Sequence, residues 1–121
     1  MTHKSIRQAA EELNLSIHTL RYYERIGLIS PVTRGDNGHR HYSNEDLCWL
    51  SFLTCLRNTG MSISIMKTFM DLARQGDGTL TARAELLSDH REQVCAHIAQ
   101  LQAQLEQVDT KIHCYQQQAA A

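Results

Sequence analysis

The sequence predicts a mostly α-helical chain: a winged helix-turn-helix, then one long helix with the repeat of a coiled coil. Three observations predict it. Two short apolar-periodic segments are separated only by Asn14-Leu15, so their helices must cross steeply. A strong turn signal, Gly35-Asp36-Asn37-Gly38, lies between two short β-like pieces. From Thr79 to about Tyr115 neither proline nor glycine interrupts a sustained heptad pattern.

Ser5 is a good N-cap for a first helix whose apolar set is Ile6, Ala9, Ala10 and Leu13, ending near Asn14. Ser16 caps a second helix over about residues 17–25. Pro31 then stops helix, and β-like pieces around Val32–Arg34 and His39–Tyr42 predict a two-stranded wing. Ser43, with Asp46 at the capping-box position, starts a third helix carrying Leu47, Leu50, Leu53, Thr54 and Leu56. Asn58-Thr59-Gly60 closes it. Ser62 starts a fourth, with Ile63, Ile65, Met66, Phe69 and Leu72 as its apolar set, and Gly76-Asp77-Gly78 ends it.

In the long helix, Leu80, Leu87, Val94, Leu101, Val108 and Tyr115 recur every seven residues. Ala84, Arg91, Ile98, Leu105 and Ile112 form the companion row, with Arg91 the polar exception. Five heptads exceed what a small domain needs to cover itself, which predicts a two-stranded coiled coil. The expected domains are 1–75, a DNA-binding domain; 79–115, a dimerisation helix; and 116–121, a disordered low-complexity tail.

The second helix carries Leu20-Arg21-Tyr22-Tyr23-Glu24-Arg25-Ile26-Gly27-Leu28-Ile29. Arg21 and Arg25 are one helical turn apart and share a face. An arginine–tyrosine face ending in a tight turn suits phosphates and base edges. Bulk charge does not announce such a partner, since 12 Lys+Arg stand against 13 Asp+Glu. The basic residues are local: residues 16–42 hold four arginines against Glu24 and Asp36, while the long helix carries an acidic excess. No apolar stretch approaches membrane-spanning length and no signal peptide is legible, so a soluble cytoplasmic protein is expected. Cys48, Cys55, Cys95 and Cys114 are far apart and lack zinc-ligand spacing, so free thiols are expected, with no metal site and no cofactor.

The Arg-Tyr-Tyr-Glu-Arg-Ile-Gly-Leu-Ile run, the Asn-Gly-His-Arg-His-Tyr wing, the further helix pair and the long last helix together resemble the MerR family of bacterial transcription regulators. The resemblance covers essentially the whole chain and is most specific over residues 5–75. It implies dimers joined by an antiparallel coiled coil. These bind a pseudo-palindrome in a promoter with an overlong spacer, which they kink and untwist for RNA polymerase on activation. Metal sensors of the family place cysteines after the dimerisation helix, where this chain has Cys114 alone. A multidrug-type ligand domain is not expected either. Cys55-Leu56-Arg57-Asn58-Thr59-Gly60-Met61, the Gly-Asp-Gly-Thr turn and Arg83 are most similar to the NmlR/AdhR subgroup, linked to aldehyde and other electrophile stress. There a cysteine at the place of Cys55 is the proposed sensor.

His18, Thr19, Arg21, Tyr22 and Arg25 are the expected major-groove residues, with Tyr23 turned to the core. Arg25 has the alternative of pairing with carboxylates on a solvated face. Arg34, His39 and Arg40 on the wing are expected at phosphates, which confer affinity and salt dependence rather than sequence choice. Tyr42 is placed with them, with bracing of the wing as its alternative. Arg57 is a phosphate candidate or a structural ion-pair partner. For Cys55 the plainer alternative is an inert core residue, since reactivity needs thiolate character and access. Leu80, Leu87, Val94, Ile98, Leu101, Leu105, Val108 and Ile112 are the expected dimerisation residues. Competing functions are a coiled-coil interaction protein with an incidental helix-turn-helix, a regulator whose effector is not thiol-directed, and a thiol enzyme. A scaffold needs no basic wing, and no Cys–His pairing supports an enzyme.

Overall fold

The computed structural model describes residues 4–29, 33–34 and 40–121, with the backbone alone described at Thr33, Arg34 and Arg40. The chain forms two units, which divide after Arg83.

In the first unit the elements run β1 (Lys4–Ser5), α1 (Ile6–Leu13), α2 (Ile17–Arg25), β2 (Thr33–Arg34), β3 (Arg40–Tyr42), α3 (Asn44–Asn58) and α4 (Ile63–Arg74), then a 3-10 turn (Asp77–Thr79). The expected two-stranded wing has a third strand. β1 pairs antiparallel with β3, Lys4 opposite Tyr42 and Ser5 opposite His41. β2 pairs with the other side of β3, Thr33 opposite His41 and Arg34 opposite Arg40.

Caps set the helix boundaries. Ser5 Oγ accepts from the Gln8 amide at 3.2 Å while Gln8 Oε1 accepts from the Ser5 amide at 2.9 Å. Ser43 and Asp46 repeat this reciprocal box at 3.1 and 2.9 Å, so aspartate serves where glutamate is usual. Between α1 and α2, Asn14 takes the left-handed conformation, φ 55°, which asparagine tolerates better than most side chains. α2 and α3 end alike. The Gly27 and Leu28 amides donate to the Glu24 and Tyr23 carbonyls at 3.2 and 2.9 Å; those of Gly60 and Met61 donate to Arg57 and Leu56 at 3.0 Å each. Both glycines have positive φ, 79° and 97°. This 6→1, 5→2 pattern satisfies the last carbonyls and turns the chain back so that Leu28 and Met61 enter the core.

The core collects Ala9 and Ala10 of α1, Leu20 and Tyr23 of α2, Tyr42 of β3, Leu47, Leu50, Leu53 and Leu56 of α3, and Met66, Phe69 and Met70 of α4. The leucines of α3 recur every third residue and form one stripe. Phe69 packs between Trp49 and Phe52, with ring centroids 6.3 and 5.7 Å away. Ile65, expected in the apolar set of α4, is exposed instead. A helix capped at Ser62 presents Met66, Phe69 and Met70 to the core, and Ile65 lies outside that arc.

The long helix α5 spans Leu80–Ala120, 41 residues, or about 60 Å. Helix continues through the segment 116–120, where a disordered tail was expected; the polyglutamine–alanine composition that offers no core contact is also good helix-forming material. No residue of α5 is buried. Its large apolar side chains Ile98, Leu101, Leu105, Val108 and Ile112 lie 48–57% exposed along the expected heptad rows.

A candidate DNA-binding face

The residues expected in the major groove lie on α2. Their geometry follows from the burial of Leu20 and Tyr23. Three residues apart, these two fix the inward face, which turns His18, Arg21, Tyr22 and Arg25 outward. Tyr23 is 2% exposed and Tyr22 36%, so the two tyrosines divide as expected, one to the core and one to the surface. The Arg25 guanidinium lies over the Tyr22 ring, 5.4 Å from its centroid. That cation–π contact holds a cation against an aromatic face at the surface. Thr19 is half-buried, and its hydroxyl lies 2.8 Å from Ser16 Oγ, so it takes part in the cap of α2.

On the wing, Arg34 and Arg40 occupy opposed positions on β2 and β3; their side chains, and His39 altogether, lie outside the described residues. Tyr42 corrects the expectation of a phosphate contact. Its side chain is fully buried, on the strand between β1 and β2, and it braces the sheet. Arg57, left open between phosphate and ion pair, donates from Nη1 to the Tyr23 hydroxyl at 3.3 Å. Neither that bond nor a second contact of the site was legible in the sequence. Arg74 Nη2 donates to the Leu28 carbonyl just beyond α2 at 2.9 Å, while its Nη1 bonds Asp71 at 3.0 Å. The spacing of Asp71 and Arg74 signals a helix-surface pair; nothing in the sequence signals the reach to Leu28.

Cys55 is exposed on α3, which disfavours its alternative as an inert core residue but does not single it out as a sensor, since Cys48, Cys95 and Cys114 are exposed free thiols too. Among the described residues no group of three or more His, Cys, Asp or Glu is placed to hold a metal ion, and no helix is long and apolar enough to cross a membrane.

A capped helix-turn-helix with an arginine–tyrosine outer face, a small three-stranded sheet and a long helix bearing exposed apolar rows defines the class of winged helix-turn-helix regulators. The comparisons give the family. The model of the MerR HTH family regulatory protein matches residues 4–72, and that described as MerR, DNA binding matches residues 47–117. The chain belongs to the MerR family, a family of transcription regulators and not of enzymes. It is 44% identical over 90 residues to the HTH-type transcriptional regulator AdhR of Bacillus subtilis, a match covering 74% of this chain and 64% of that protein. The matched segment thus spans just under two thirds of AdhR. Among solved structures it is similar to a MerR family regulator from Listeria monocytogenes (TM-score 0.86, 41% identity, 93% of this chain and 85% of that one). It is also similar to HiNmlR, a MerR family regulator lacking the sensor domain, bound to promoter DNA (TM-score 0.90, 36% identity, 99% and 95% covered). AdhR and HiNmlR are relatives of the subgroup expected from Cys55 to Met61.

Proposed function

We propose that the protein is a homodimeric transcription regulator that binds and distorts promoter DNA in the cytoplasm. The observation that carries this is the outward array of Arg21, Tyr22 and Arg25 on α2. Arginine suits guanine edges and phosphates alike, through its planar bidentate fork. His18 completes the groove-facing set, Thr19 adds a contact from the half-buried cap of α2, and Arg34, His39 and Arg40 supply phosphate contacts beside it. Leu80, Leu87, Val94, Ile98, Leu101, Leu105, Val108 and Ile112 form the dimer seam. An antiparallel pair of α5 helices then presents two copies of α2 to a pseudo-palindrome, and the dimer kinks and untwists an overlong spacer, acting on RNA polymerase through the DNA. The match to HiNmlR, which is bound to promoter DNA, supports this reading.

For the effector we propose aldehydes or other thiol-reactive electrophiles acting at Cys55. Its exposure gives access, and it shares the last turns of α3 with Arg57, whose side chain bonds the α2 residue Tyr23. An adduct there has a short route to the DNA-facing helix. Footprinting of the DNA upstream of the protein's own gene, with and without formaldehyde, tests both parts. The expected result is a salt-dependent protected pseudo-palindrome, with hypersensitive bases at its centre that strengthen with formaldehyde. Protection no better than on random DNA refutes the regulator reading, and a pattern insensitive to formaldehyde refutes the effector.

A further inference from the structure

Tyr23 is held at both ends. Its hydroxyl accepts from Arg57 Nη1 of α3 at 3.3 Å, and its carbonyl accepts from the Leu28 amide at 2.9 Å. The turn that supplies the second bond is itself held by α4, through Arg74 Nη2 to the Leu28 carbonyl, with Asp71 steadying the guanidinium. Two arginines from two different helices thus grip α2 from behind, at the point where its outer face carries Tyr22 and Arg25.

We propose that Arg57 is a positioning residue: through Tyr23, and together with Arg74 at Leu28, it fixes the pose of α2, and it does not itself neutralise a phosphate. This rests on the DNA-binding reading. The geometry points to this role because Nη1 of Arg57, an exposed residue, reaches back to the hydroxyl of a nearly fully buried tyrosine of α2. Bonds to base edges depend on distance and angle, and a site held loosely by its supporting shell loses them first. Bonds to phosphates, reached by long side chains and carried by charge, are more tolerant. Loss of the grip therefore lowers discrimination while leaving bulk attraction to DNA in place.

The two roles differ in salt dependence. Removing one phosphate contact flattens the slope of log K against log salt by about 0.9, whereas removing a positioning bond leaves the slope unchanged. The experiment measures binding of wild type, Arg57→Ala, Tyr23→Phe and the double variant to the footprinted duplex and to a random duplex of equal length, across a salt series. Tyr23→Phe keeps the buried ring and removes the hydroxyl alone, and thermal melts check that each variant folds. The expected result is roughly tenfold weaker binding to the footprinted duplex for either single variant, the size a lost charge-assisted hydrogen bond gives. Binding to random duplex and the salt slope stay unchanged, and the double variant is no worse than either single. A flatter slope for Arg57→Ala, independent effects that multiply in the double variant, or unchanged discrimination overturns the proposal. Wild type that prefers neither duplex overturns the DNA-binding reading beneath it.

Discussion

Replacing both Leu101 and Leu105 by alanine should take the dimer apart while leaving the helix that carries them intact. In the single chain these leucines are 50% and 57% exposed. Full burial of a leucine side chain is worth about 1.5–3 kcal/mol, so covering the exposed half is worth about 0.8–1.5 kcal/mol each. Two residues in each of two copies together contribute about 3–6 kcal/mol, of which about 2–4 kcal/mol is lost when alanine retains a methyl group. At about 1.4 kcal/mol per factor of ten, the dimer dissociation constant should rise roughly 30- to 700-fold. Alanine is the best helix former, so α5 itself should not weaken. Sedimentation velocity over a dilution series reads the dissociation constant, and circular dichroism at saturating concentration reads the helix. A variant that stays dimeric to the same dilution as wild type refutes the assignment of these rows to the seam. Loss of helix at concentrations where the dimer persists refutes the separation of folding from assembly.

Arg21→Ala should weaken binding to the specific duplex by about 1–3 kcal/mol without changing the sedimentation of the dimer; wild-type affinity in a gel-shift titration would remove Arg21 from the interface. Cys55→Ser should keep DNA binding and lose induction by formaldehyde in a reporter strain, whereas a full response would make Cys55 a bystander. Ser43→Ala deletes the oxygen that accepts from the Asp46 amide at 3.1 Å, and should cost about 1 kcal/mol. For a unit of this size that lowers the melting temperature by about 4–8 °C, and an unchanged melt would show that the cap contributes nothing.

Local chemistry made most of the fold legible. Ser5, Ser16, Ser43 and Ser62 all cap the helices expected of them, because a cap is written within four residues of sequence. Two adjacent tyrosines on a helix cannot both face inward, and of the two it is Tyr23, as expected, that is buried. What escaped was non-local. β1 is two residues long and shows no alternation that a reader could detect; it exists because Tyr42 and His41 offer it a partner strand. The burial of Tyr42 belongs with the packing of β3 against α1, a contact between segments about 30 residues apart. Arg57 to Tyr23 and Arg74 to Leu28 join residues 34 and 46 positions apart, so only the packed structure reveals them. The side chains of α2 that face outward were therefore readable, and the scaffold that aims them was not.

Ser5 belongs to two structures at once. It is the last residue of β1 and the cap of α1, with its amide and hydroxyl committed to Gln8. The wing and the first helix consequently share a fastening, and neither can loosen there without the other. Trimming the chain past this point would unpin a sheet edge and fray a helix in one cut, and a fusion partner joined directly ahead of Lys4 would pull on the same pin. Trouble with the first five residues would then surface as poor DNA binding, far along the chain from its cause.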